Sequence, residues 1–211
     1  MTAFLTDPAA ITAESFRRID AFLVPYGLGD DVYPIVRRVV HTTADFEWVS
    51  SLRCHPRAVE AAVAALREGA AIVTDVRMVA TGIGSARVRG LGGAVHCAVD
   101  DPAAARLAAE AGITRSMAAL RLLARQLPRA LYVVGNAPTA LFEFLRLRDE
   151  GVIAPPAVIG VPVGFVSTVE AKTALMRTDE LPWISNVGPK GGSAVAAAIV
   201  NALLELAEDG G

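Results

Sequence analysis

The sequence predicts an α/β domain: a doubly wound, mostly parallel five-stranded sheet with helices on both faces. Three observations carry this. Short runs apolar at nearly every position recur at Ala71–Thr74, Ala94–Val99, Leu131–Val134, Ala157–Val161 and Trp183–Val187. A segment able to form a helix stands between each run and the next. Hydrophobic residues make up 53% and charged residues 20% of 211, enough material for one large core. Strands without polar alternation are those buried on both faces, as in a parallel sheet covered by helices.

The elements follow in order. A helix begins near Asp7-Pro8, with aspartate as N-cap and proline just inside, and its apolar positions are Ile11, Phe16, Ile19 and Leu23. A second starts near Pro34, places Ile35, Val36, Val39 and Val40 on one side, and ends near His41-Thr42-Thr43. Further helices are expected over Pro56–Arg67, Pro102–Ala111, Ser116–Leu127, Pro138–Arg148, Val169–Met176 and Ser193–Leu206. Two stripes are clean: Met117, Leu120, Ala124 and Leu127, and Val195, Ile199, Leu203 and Leu206. There is no repeat, low-complexity tract or linker, so residues 1–211 read as a single domain.

Several function classes are excluded or disfavoured. The net charge of −2 gives no global field for nucleic acid. The amino-terminal stretch lacks the basic and apolar regions of a signal peptide. Residues Val152 to Val169 carry no charge, but Pro155, Pro156, Gly160, Pro162 and Gly164 break the run, so it reads as a strand and a loop and not a membrane span. The two cysteines, Cys54 and Cys97, form no CxxC motif or metal-ligand cluster, so the expectation is no metal, no disulfide and a cytoplasmic setting.

In such a sheet, ligands sit outside the carboxyl ends of the strands. The segments Val134–Thr139, Gly160–Phe165 and Gly188–Ser193 fall there, and they are rich in glycine and small residues. Small residues let a large ligand reach the backbone, and the N–H groups opening the next helix accept carboxylates. Gly82-Ile83-Gly84 lacks the third glycine of a dinucleotide fingerprint, Arg87 standing in its place. Lys190-Gly191-Gly192-Ser193 has its lysine on the wrong side of the glycines for a P-loop.

Of the three histidines, His55 precedes a proline in a loop and His96 lies in a strand. His41, beside Arg37 and Arg38 and ahead of Thr42, Thr43 and Asp45, serves either as a helix-end cap or as a proton donor near neutral pH.

The segment Val36–Asp45 resembles the histidine motif of the precorrin-8X methylmutase family. Glu14-Ser15-Phe16 is similar to the family's ES motif, and Asp75–Ile83 to its DVxMVxxGI block. Gly112–Ser116 resembles G-x-TRS, Gly135–Leu141 GNAPTAL, Gly160–Val166 GVPVGFV and Lys190–Ala194 KGGSA. The blocks extend from residue 14 to 194. There are two departures: Pro189 where a basic residue is expected before Lys190, and Val169-Glu170-Ala171-Lys172 in place of AESK.

The resemblance implies a cofactor-free isomerase of corrin-ring synthesis. It would move a methyl group from carbon 11 to carbon 12 of precorrin-8X or cobalt-precorrin-8, with His41 protonating the macrocycle. It implies substrate binding by Ser15, Arg38, Thr81, Gly82, Arg115, Ser116, Asn136, Thr139, Gly164, Lys190 and Gly191, and a homodimer. For Arg115 the alternative is a salt bridge, and for Asn136 and Thr139 a helix cap ahead of Pro138. A tetrapyrrole carrier without chemistry and a nucleotide-dependent enzyme are the competing classes. The first lacks a use for the histidine motif, and the second rests on an incomplete glycine pattern.

Overall fold

A computed structural model describes residues 5–209; Met1 to Phe4, the start of the stretch read for a signal peptide, lie outside it. The chain opens with helices α1 (Pro8–Leu23), α2 (Tyr33–Thr43) and α3 (Trp48–Ser51), then strand β1 (Leu52–Cys54) and helix α4 (Ala58–Arg67). β2 (Ile72–Thr74), α5 (Arg77–Gly82), α6 (Ser85–Gly90), β3 (Val95–His96), α7 (Pro102–Ala111) and α8 (Arg115–Gln126) follow. The remainder is β4 (Leu131–Val134), α9 (Pro138–Asp149), β5 (Val158–Gly160), α10 (Thr168–Met176), β6 (Trp183–Asn186) and α11 (Ser193–Asp209).

The strand order is β1-β6-β5-β4-β2-β3, parallel except where β1 pairs with β6. From β2 the chain winds out to β3, then returns to β2's other side and proceeds through β4, β5 and β6. The parallel part therefore has the doubly wound order with its switch point between β2 and β4. Successive strand residues face opposite layers. Ile72, Leu131, Val133 and Ile159 join a core with α2, α4, α5, α6 and α11. Val73, Tyr132, Val134 and Val158 join another with α8, α9 and α10. That two-sided burial is why the strands read as unbroken apolar runs.

The sheet has six strands where five were expected. The extra one, β1, is three residues long at an antiparallel edge, with Leu52 buried and Arg53 exposed, so it offers no apolar run to detect. The run Ala94–Val99 yields only the two residues of β3 at the other edge. Asp7 caps α1 as expected, its carboxylate accepting from the Ala10 N–H at 2.8 Å. The uncharged stretch from Val152 to Val169 divides into β5, a loop and the start of α10, and no helix among the described residues is long and apolar enough to cross a membrane.

Glu143 of α9 is buried against α8, where the Arg121 and Arg146 guanidinium groups each approach it to 2.6 Å. Burial alone would raise its carboxyl pKa; the hydrogen bonds from Arg121 and then Arg146 outweigh that and hold it below the ordinary 4.5. A depressed carboxylate contributes stability above its unfolded value that is lost as pH falls through the folded one. Urea titrations should show stability declining below pH 4.5. Glu143→Gln should flatten that acid arm and lower stability at neutral pH by about 1–3 kcal/mol.

Candidate functional site

The switch point is closed by a carboxylate. Asp75 follows β2, is fully buried, and accepts N–H bonds from Gly135 (3.0 Å), Asn136 (2.9 Å) and Ala137 (2.8 Å). Burial pushes its carboxyl above the ordinary carboxylate range, and the three N–H bonds oppose that shift. α9 has no side-chain cap of its own, so neither Asn136 nor Thr139 caps it; Asp75 reaches across from β2 to satisfy its first donors. Gly135 admits no larger residue, since a Cβ there would meet Ala196 at 2.6 Å and Val79 at 2.8 Å.

Beside this turn the start of α8 meets the start of α9. Thr114 caps α8 by accepting from Met117 N–H, and its hydroxyl lies 3.1 Å from that of Thr139. Arg115, Ser116, Asn136 and Thr139 thus gather at two adjoining helix starts. Arg115 is exposed and forms no ion pair among the described residues, whereas Ser116 is buried.

The glycine loops after β5 and β6 are tied together. Gly164 N–H donates to Pro189 O (3.2 Å) and Gly192 N–H to Val161 O (2.9 Å). Gly191 has φ +156° and lies so close to the Val161 and Pro162 carbonyls that a Cβ would come within 2.3 Å. Lys190 Nζ contacts Asp45 at 2.7 Å and Glu47 at 2.6 Å, which joins this loop to the segment following α2. Those hydrogen bonds raise the Lys190 pKa and, reciprocally, lower that of Asp45.

His41 occupies the last turn of α2, exposed, with its ring centroid 4.8 Å from that of Phe16 in α1 and no hydrogen bond among the described residues. The Arg37 guanidinium lies 4.0 Å from the same Phe16 ring and donates to Asp20, to which Tyr33 also donates, each at 2.8 Å. Ser15 is the neighbour of Phe16, its hydroxyl donating to Ile11 O. Arg38 pairs with Glu205 of α11 at 3.0 Å, a carboxylate shared with Arg87. Thr81 is exposed and donates to Arg77 O (2.9 Å), and Gly82 packs on Ala197 where a Cβ would stand only 2.7 Å away.

The predicted residues therefore fall into groups. Ser15 and His41 lie on α1 and α2; Arg115, Ser116, Asn136 and Thr139 at two helix starts; Gly164, Lys190 and Gly191 in the joined loops. Arg38, Thr81 and Gly82 are bound to α11 or to their own helix. Among the described residues no three His, Cys, Asp or Glu side chains gather as a metal site. Both cysteines are free, and burial pushes the Cys54 thiol up to about 12. Three residues escaped the sequence reading: Asp75, Lys172 and the cap Thr114. The first two had a visible signal, a lone charge bordering an apolar strand and a lone charge on the buried face Thr168, Ala171, Lys172, Leu175.

This geometry defines a doubly wound α/β protein with polar helix starts and glycine loops at the carboxyl edge and a histidine ring left open to a ligand. The family model for precorrin-8X methylmutase matches residues 10–206. The chain is 40% identical over 203 residues to a cobalt-precorrin-8 methylmutase of Priestia megaterium, covering 96% of this chain and 90% of the relative. It is 39% identical over 204 residues to a precorrin-8X methylmutase of Pseudomonas aeruginosa, covering 96% and 98%. A crystal structure of precorrin-8X methyl mutase from Thermus thermophilus superposes with a TM-score of 0.87 at 40% identity, covering 96% of this chain and 99% of that one. The chain belongs to the precorrin-8X methylmutase family.

Replacing Asp75 with Asn puts an amide N–H₂ against backbone donors and leaves buried N–H groups unsatisfied. Denaturant midpoints should report a loss of about 2–4 kcal/mol, the scale of one or two charge-assisted hydrogen bonds.

Proposed function

We propose that this protein catalyses the family's isomerisation on precorrin-8X or cobalt-precorrin-8, with His41 as the proton donor. The observation that carries this role is the state of the His41 ring: exposed, resting on Phe16, with neither nitrogen engaged by the described protein. A helix-capping histidine would spend a nitrogen on a carbonyl; this one keeps both for a ligand.

The reaction breaks the bond from carbon 11 to its methyl group and forms one from carbon 12 to the same methyl. A proton passes from His41 to the conjugated ring system, makes the migration terminus electron-poor, and returns when the methyl has moved. Atoms and electrons then balance without a co-reactant. The product is hydrogenobyrinate, or cobyrinate from the cobalt form. The imidazole acts only while charge is displaced, which is where stabilisation raises the rate.

The substrate carries several carboxylates. Arg115, exposed and unpaired among the described residues, is the cation best placed to meet one, next to the donors of Ser116, Asn136 and Thr139. Of the other expected contacts, the Gly191 N–H has no acceptor among the described residues. The Ser15 and Thr81 hydroxyls and the Gly164 N–H would have to leave their present carbonyl acceptors, the Gly82 carbonyl is held by Asn201, and Arg38 and Lys190 would have to share with their acid partners. A homodimer is supported by the exposed apolar side chains Phe165 (97%), Val166 (81%) and Met78 (72%), two of them in the glycine loop after β5. The setting is cytoplasmic. Relatives of both substrate names match at similar identity, 40% and 39%, so metal-free and cobalt-containing substrates are to be assayed in parallel.

His41→Ala should leave the fold intact, because the ring is exposed, and should slow single-turnover methyl migration about 100-fold or more. Wild-type turnover by that variant rejects His41 as the acid. Arg115→Ala should weaken substrate binding by about 1.5–3 kcal/mol. The difference from wild type should shrink as salt is added, because part of the attraction is screened; equal dissociation constants would remove Arg115 from the site.

A further inference from the structure

A fully buried cation lies under the glycine loops. Lys172 of α10 is 0% exposed, and no carboxylate of the described residues stands within ion-pair distance. Its Nζ donates to Lys190 O at 2.7 Å and to Asn186 Oδ1 at 3.2 Å. The Asn186 amide donates to the same Lys190 oxygen at 2.9 Å. An ammonium and an amide thus hold one carbonyl from below.

Every described peptide bond is trans, so a carbonyl and the N–H of its own peptide unit point in opposite directions. With Lys190 O drawn inward to Lys172 and Asn186, the Gly191 N–H points away from the buried pair. It has no acceptor among the described residues. A cation on the carbonyl also polarises the peptide unit and strengthens its N–H as a donor. One turn earlier on α10, the Thr168 hydroxyl is buried beneath Gly164, 2.9 Å from where a Cβ there would stand, and has no partner. Two buried polar groups of one helix face therefore lie under both glycine loops with unused hydrogen-bonding capacity.

We infer that Lys172, with Asn186, is a positioning pair that orients and polarises the Lys190–Gly191 peptide so that Gly191 N–H donates to a carboxylate of the substrate. This rests on the reading of the loop as part of the macrocycle's site. Lys172 itself does not touch the ligand; its charge arrives through one peptide unit. Burial, which brings the Lys172 pKa down to about 8, leaves the ammonium the main form at neutral pH, so the charge is present when substrate binds. The near-isosteric alternative, methionine, would fill the same space without holding the carbonyl.

Lys172→Met should raise the Michaelis constant for precorrin-8X about tenfold or more, with a much smaller change in kcat, the pattern of a lost ground-state contact. A Michaelis constant within twofold of wild type overturns the assignment. Should the variant fail to fold, the wild-type protein decides: with glycine labelled by ¹⁵N, titration with hydrogenobyrinate should move the Gly191 amide proton downfield. An unmoved Gly191 amide in a wild-type enzyme that turns over precorrin-8X overturns this inference alone. Absence of turnover would overturn the reaction itself, and this assignment with it.

Discussion

One buried carboxylate holds the ligand edge in shape. At the switch point β2 and β4 part company, and the turn into α9 carries three N–H groups with no cap from its own helix. Asp75 supplies the missing acceptor from the neighbouring strand. Taking a carboxylate out of water costs several kcal/mol, and that cost is offset only where hydrogen bonds converge on it and a helix dipole begins. Both conditions hold here. The consequence reaches beyond α9. With Gly135 pinned against Asp75, α5 and α11 can close to within methyl distance of it at Val79 and Ala196, and the starts of α8 and α9 adjoin through Thr114 and Thr139.

α11 transmits this arrangement to the histidine. Its small residues let neighbours approach: Ala196 faces Gly135 and Ala197 faces Gly82, each too close for another Cβ. Asn201 then fixes the end of α5 by accepting from Gly84 N–H and donating to Gly82 O. On its other side α11 packs against α2, with Arg38 and Arg87 meeting at Glu205. The helix carrying His41 is thereby set against the same rigid element that closes the switch point. Arg38 does mechanical work in this picture, aligning α2 on α11, independent of any ligand.

Much of this was legible in the residues and some was not, for physical reasons. Strands buried on both faces announce themselves, so Leu131–Val134 emerged with its bounds intact. β1 did not, because an edge strand of Leu52, Arg53 and Cys54 has neither length nor pattern. The role proposed for His41 comes from resemblance, since spacing alone leaves a capping role open; the structure shows no carbonyl bound to it. Partners distant in sequence were beyond reach: nothing near Arg38 points to Glu205, and nothing near Lys190 points to Asp45. Asp75 stood in a recognised block without a task, because its task is a set of backbone contacts some 60 residues away.

The distribution of charge bears on how a chain of net charge −2 would hold the polyanion of the proposed reaction. Most of the arginines described at the site are already neutralised, Arg37 by Asp20 and Arg38 by Glu205, and Lys190 carries two acids. A paired cation adds little long-range attraction. What remains among the described residues of the site is the Arg115 guanidinium, which forms no ion pair, and backbone donors with no protein acceptor, such as the Gly191 N–H. Such donors are fixed before the ligand arrives, so binding them costs little ordering, and they follow the carboxylates' positions more than their total charge. In the proposed reading they meet the periphery of the macrocycle, which the methyl shift leaves unchanged. Contacts of that kind hold substrate and product alike and cannot raise the chemical rate by themselves. On that reading, rate enhancement has to come from a group whose interaction changes as the methyl moves, and the His41 imidazole, with neither nitrogen engaged by the described residues, is the group proposed for it.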